Sequence, residues 1–79
     1  MPRYYFHLTG PDSLHDDIGE EMEGIAAVLQ VARRTAAELI AEEIVKGQIV
    51  DLAQAITVAG DQGNVLVLKY SDLFVQPRR

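Results

Sequence analysis

Histidine and carboxylate side chains are the groups in this sequence that could carry chemistry. His7 and His15 are its two histidines, and Asp16 and Asp17 follow directly. Such a set can act as a base or bind a metal. If the segments on either side of His15 pair as strands, however, His15 lies in their connection and need not meet His7. The chain has no cysteine, and its serines and threonines stand in no nucleophile motif, so we expect neither an enzyme nor a bound cofactor.

The acidic stretch from residue 12 to residue 23 could bind a divalent cation through carboxylate oxygens. It contains six acids and no lysine or arginine: Asp12, Asp16, Asp17, Glu20, Glu21 and Glu23. The spacing is not that of an EF-hand loop. A solvated loop that places negative charge ahead of a helix N-terminus accounts for the same residues. Metal binding by this stretch is an alternative hypothesis, and no metal ligand is predicted.

The segment from Gly24 to Lys46 predicts one long helix. At about 100° per residue, seven apolar residues share one face: Ile25, Val28, Leu29, Ala32, Ala36, Leu39 and Ile40. Lys46 followed by Gly47 is typical of a helix end. A helix of about 22 residues is longer than a short strand, and Val31 and Val45 lie off its apolar face. These features indicate a contact with a second subunit, although scattered exposed apolar residues are also normal.

The N-terminal residues predict a strand from Arg3 to Thr9, because apolar residues alternate with polar ones there. Residues 18–22 could pair with this strand. Ile18 and Met22 would then point inward, and Gly19 would mark a bulge or a close approach of two backbones.

The C-terminal part predicts a β-hairpin. Residues 55–59 and 65–70 alternate in polarity and flank a turn rich in Gly, Asp and Asn. Five residues would face the helix: Ile56, Val58, Leu66, Leu68 and Tyr70. Residues 49–52 would pack under the helix end, and residues 76–79 would be a frayed tail.

The element order is therefore β-β-α-β-β, and residues 1–79 form a single α+β domain. We expect two layers, one long helix packed on a small, mostly antiparallel sheet. One helix covers one face of the sheet, and alternation leaves nine residues on the other: Arg3, Tyr5, His7, Ala55, Thr57, Ala59, Val65, Val67 and Lys69. The candidate interface combines part of this face with the helix: Tyr5, His7, Thr57, Val65, Val67, Lys69, Val31 and Val45.

Composition limits the partners. A formal net charge of -5 disfavours a general nucleic-acid binder, which needs cations for phosphate. A core built from 79 residues is marginal, so oligomerisation would stabilise it. No apolar run approaches the ~20 residues that span a membrane, and the N-terminus lacks the apolar region of a signal peptide. We expect a cytoplasmic homodimer without membrane contact, and a different protein partner remains open.

Four short motifs resemble a known family. They are the opening MPRYYFHL, D-x-G-x-E at 17–21, D-x-G-x-V-L at 61–66 and Y-x-D at 70–72. They are similar to short bacterial proteins that open with a Pro-Arg-Tyr-Phe-Phe-His-like strand and are catalogued as a domain of unknown function. The resemblance covers essentially the whole chain, although Tyr5 and Gly24 depart from its pattern. It implies a fold and no catalytic residues. The layout is also loosely similar to HicB-like antitoxin domains, at the level of fold alone.

The preferred hypothesis is a small interaction or regulatory module that associates with itself. One alternative is a platform for single-stranded RNA, because aromatic and basic residues on an open sheet can stack bases. Its residues would be Arg3, Tyr5, His7 and Lys69. The other alternative is the metal protein built on residues 12–23.

Overall fold

The computed structural model describes residues 1–74, so the tail predicted for 76–79 lies outside the described residues. The elements are β1 (Arg3–Thr9), β2 (Glu20–Glu21), α1 (Ile25–Val45), β3 (Ala55–Gly60), β4 (Gly63–Lys69) and a 3₁₀ turn (Tyr70–Leu73). The strands form one antiparallel sheet in the order β2-β1-β3-β4. The predicted α+β fold, with one helix on a small sheet and the order β-β-α-β-β, is confirmed.

The core lies between α1 and the sheet. The buried helix residues are spaced four apart: Val28, Ala32, Ala36 and Ile40. They pack against the sheet residues Ile56, Val58 and Leu68, and against Met22 and Tyr70. Alanine at the middle of this row lets the helix axis approach the sheet closely. The hairpin residues predicted to face the helix are therefore placed correctly.

The contact surface of α1 is shifted from the predicted one. Val31 was expected to face solvent, yet it is half-buried and packs against the core with Ala27 and Leu39. These three residues form a second row on the helix surface, next to the buried row from Val28 to Ile40. Side chains spaced four residues apart form such rows, and helices pack along them. Ile25, which the helical periodicity placed on the apolar face, is more than half exposed.

The helix α1 is longer than the strands on which it packs. Twenty-one helical residues span ~32 Å, whereas a seven-residue strand spans ~23 Å. Val45, which lies off the apolar face of the helix, is 86% exposed. Gly47 ends the helix with a φ of 74°, which favours glycine. In the connector that follows, Val50 packs against the core, but Ile49 and Leu52 are exposed, so the predicted packing of residues 49–52 holds for Val50 alone.

The strand predicted at 18–22 is shorter than expected. Met22 is buried as predicted, but Ile18 is 79% exposed. The reason is a turn before Glu20, where the Asp16 carboxylate accepts hydrogen bonds from the backbone N–H groups of Ile18 and Gly19. Pairing with β1 begins only at Glu20.

No helix within residues 1–74 is both long enough and apolar enough to cross a membrane.

Gly19 makes the close approach that the sequence predicted. Its φ is 73°, and a Cβ atom there would lie 2.8 Å from the Tyr5 ring and 2.9 Å from the Tyr4 carbonyl oxygen. We expect Gly19→Ala to lower the free energy of unfolding by about 1–3 kcal/mol, measured by urea denaturation.

Gly60→Ala is the matched control. Its Cβ would lie 3.5 Å from the nearest atom, a Val65 methyl group, which is an ordinary contact. We expect a change within about 0.5 kcal/mol. Equal losses in the two variants would contradict the crowding assigned to Gly19.

Candidate functional site: the open face of the sheet

The face of the sheet opposite α1, called the open face, carries most of the predicted interface. His7, Thr57 and Val67 lie directly opposite one another on β1, β3 and β4. Tyr5 lies beside this row on β1, and Lys69 beside it on β4. The structure thus brings together five of the eight predicted residues. Val31 and Val45 lie on α1 and are not part of this surface.

Val65 does not lie in the same row, because a bulge interrupts the alternation of β4. The register shifts between Val58 and Ala59, so that Asn64 rather than Val65 lies opposite Ala59. Val65 instead lies near Gly60 at the hairpin end. The prediction that placed Val65 on the open face is wrong for this reason. Ala55, also predicted there, is buried at the start of β3.

Three aromatic rings form a stack on the open face. The ring centroids of His7 and His15 are 4.2 Å apart with an interplanar angle of 15°. Tyr5 and His7 are nearly parallel at 6.4 Å. The expectation that the two histidines need not meet is therefore wrong, since residues 13–16 fold over the edge of β1 and bring His15 onto His7.

A hydrogen bond fixes the tautomer of His7. The backbone N–H of Asp16 donates to His7 Nδ1 over 3.0 Å, so this nitrogen carries a lone pair and the ring proton lies on Nε2. His15 has a different partner, because its Nε2 lies 3.3 Å from Asp17 Oδ1, with both side chains largely exposed.

Asp16 holds the loop between β1 and β2 in place. Its carboxylate accepts three backbone hydrogen bonds, from Phe6 N at 3.0 Å, Ile18 N at 3.0 Å and Gly19 N at 3.1 Å. Burial raises the pKa of Asp16, but the three hydrogen bonds outweigh it and hold the pKa below the usual 3.8. The carboxylate thereby takes the place of a neighbouring strand at Phe6.

Gln54 holds the start of the same loop. It is the buried polar residue of the described core, with 3% of its surface exposed. Its side-chain amide donates to the carbonyls of Thr9 and Asp12, and its Oε1 accepts the N–H of Asp12. A glutamine directly before a strand gives no sequence signal for burial, so sequence reasoning missed this residue. Asp16 was noticed only as one acid among six.

The arrangement offers little to a metal ion or to RNA. No three His, Asp or Glu side chains within residues 1–74 come together as a metal site. Arg3 donates to the Ile18 carbonyl at 2.8 Å and pairs with Glu21 at 3.4 Å, so its guanidinium is already engaged. The Tyr5 ring lies against Gly19, which leaves less of it for a base.

A shallow groove on the open face contains the polar groups closest to a catalytic set. Ser13, His7, His15 and Asn64 line it. The described hydrogen bonds include none between Ser13 and either histidine, which a nucleophile–base pair would require. The absence of enzyme activity stays a prediction.

The comparisons with known proteins identify the family. A family model described as "Domain of unknown function (DUF6894)" matches residues 3–69, which run from the first residue of β1 to the last of β4. The chain belongs to this family, as its motifs predicted. No curated protein and no solved structure matches the chain, and the likeness to HicB-like antitoxin domains is not shown.

The contacts of Asp16 predict a pH dependence of stability. Because the folded-state pKa lies below 3.8, Asp16 stabilises the fold at pH values above 3.8. This contribution is lost as the pH falls through the lower folded-state pKa. Asp16→Asn should lower the free energy of unfolding at neutral pH by about 1–3 kcal/mol, since one backbone N–H then faces an amide donor. In this variant the free energy of unfolding, measured by urea denaturation, should also fall less steeply as the pH is lowered (the acid limb of the stability curve).

Asp17→Asn is the control for this experiment, because it removes the same charge from a largely exposed side chain. Its acid limb should match that of the unmodified chain. An Asp16→Asn protein with an unchanged acid limb would show that the carboxylate does not hold the loop.

Proposed function

We propose that this member of the DUF6894 family is a small interaction module that forms a homodimer through the open face around Val67. Val67 carries the proposal. Its side chain is apolar and β-branched, is 51% exposed, and lies on the outermost strand of the sheet. Burial of such a surface against a second protein is favourable. The predicted compartment for this association is the cytoplasm.

The charge distribution supports the open face as the contact. The chain has 12 acids, but β1, β3 and β4 contain none. Arg3 and Lys69 are the charged residues of these strands. The strands of the open face therefore bring no carboxylate to a contact between two copies. The acid of the neighbouring loop that lies beside the ring stack, Asp17, pairs with His15.

The helix is less suited to the same role. Val31 packs within its own chain, which leaves Val45 from the predicted helix contact. Val45 is flanked by the charged residues Glu42, Glu43 and Lys46 at the end of α1, whereas the strands around Val67 carry few charges. The RNA alternative also lacks specific support, because the Arg3 guanidinium already binds the Ile18 carbonyl and Glu21.

The two surfaces can be separated by a pair of matched substitutions. We expect Val67→Glu to weaken the dimer at least tenfold, about 1.4 kcal/mol, because it places a carboxylate in an apolar contact. Val45→Glu adds the same charge at the helix end and should leave the dimer unchanged. The measurement is absolute mass by light scattering on a size-exclusion column at two concentrations, with circular dichroism to establish the fold of each variant.

Three results would contradict parts of this proposal. An unmodified chain that is monomeric at both concentrations would exclude self-association. A dimer that survives Val67→Glu would exclude the open face, and a dimer lost only in Val45→Glu would assign the contact to α1.

A further inference from the structure

We infer that the contact around Val67 is made along the outer edge of β4, at the border of the open face, where two copies pair their β4 strands antiparallel and join two four-stranded sheets into one. This inference rests on the proposed self-association and specifies its geometry. The pairing would use backbone hydrogen bonds at Val67 in addition to its side chain.

The backbone of β4 shows which groups face away from β3. The N–H of Tyr70 donates to the carbonyl of Gln54 over 2.9 Å, in register with the neighbouring pair Lys69 and Ala55. Antiparallel strands alternate between residue pairs that exchange hydrogen bonds and pairs that do not. The N–H and C=O groups of Lys69 and Val67 therefore point away from β3.

The 3₁₀ turn after β4 supports this assignment. The Lys69 N–H, which points to the outer edge, donates to Asp72 Oδ2 over 2.9 Å. This bond closes the end of the edge. Within residues 1–74, β4 is the last strand of the sheet and no neighbouring group takes the outward N–H and C=O of Val67.

The opposite edge of the sheet is protected. On β1, the backbone N–H and C=O groups of Tyr4, Phe6 and Leu8 point away from β3. Each of these residues has a backbone pairing or hydrogen-bond partner within residues 14–20. The strand beyond, β2, consists of two exposed glutamates. Short, charged edge strands are a common protection against pairing. Among the edges that residues 1–74 form, the β4 edge is the one whose outward backbone groups, those of Val67, are open to a new strand.

A second copy of the chain suits the β4 edge. Antiparallel pairing about a two-fold axis brings the valine-containing centres of the two strands together, and cross-strand pairs of β-branched residues are stabilising. The two Lys69 side chains then lie at opposite ends of the contact. Because residues 1–74 of each copy offer one open edge, the assembly closes at two copies.

Val67→Pro tests the backbone contact. Proline removes the Val67 N–H, which takes no part in the ladder with β3, and proline is tolerated on edge strands. We expect this variant to keep its circular dichroism spectrum and to be monomeric by light scattering. Val67→Thr, which keeps both the N–H and the β-branch, should remain a dimer.

Amide hydrogen exchange of the unmodified chain provides a measurement that needs no variant. The Val67 amide should exchange about tenfold more slowly, or slower still, at concentrations where the dimer forms than after dilution to monomer. Contact through the flat face alone would leave this amide open to water.

The outcomes separate the two proposals. A monomer at every concentration overturns self-association and this inference with it. A dimer whose Val67 amide exchanges as fast as in the monomer, or one that persists in a folded Val67→Pro protein, overturns edge pairing and leaves self-association standing. If Val67→Pro is unfolded, the exchange rate alone decides.

Discussion

The packing of one helix on one face of the sheet is the interaction on which the rest of this structure depends. The buried row from Val28 to Ile40 meets Ile56, Val58 and Leu68, and this apolar contact is the main source of stability in so short a chain. The single helix leaves one face and both edges of the sheet uncovered, and the other features of the structure concern these surfaces. Within one copy of the chain the open face is left to solvent or to another molecule, and both edges of the sheet are exposed unless loops, charges or a partner cover them.

Hydrophobic periodicity was sufficient to predict this architecture. The helix, β1, the hairpin and the buried position of Tyr70 all follow from alternation or from helical spacing, because burial selects apolar residues at those periods. Errors arose where local backbone geometry overrode the period. A bulge moved Val65 off the open face, a turn exposed Ile18, and packing along a second row of α1 partly buried Val31.

The candidate site was less predictable because polar side chains build it, and these carry no period. Asp16 and Gln54 bind backbone groups distant in sequence, and one acid or amide looks like another until the chain is folded. The stack of His15 on His7 depends on the same loop. The open face itself was predicted from alternation, as were its residues Tyr5, Thr57 and Val67, since regular strands position them.

The contacts of Asp16 also bear on aggregation. One carboxylate occupies the place of a strand beside Phe6, and the loop that carries it covers the edge of β1. A chain whose loop detached would present two open edges in place of one. If copies of the chain pair through β4 as we infer, pairing would then no longer close at two copies but would continue from chain to chain as a filament. On that inference, the three hydrogen bonds accepted by one aspartate limit how far the sheet can grow.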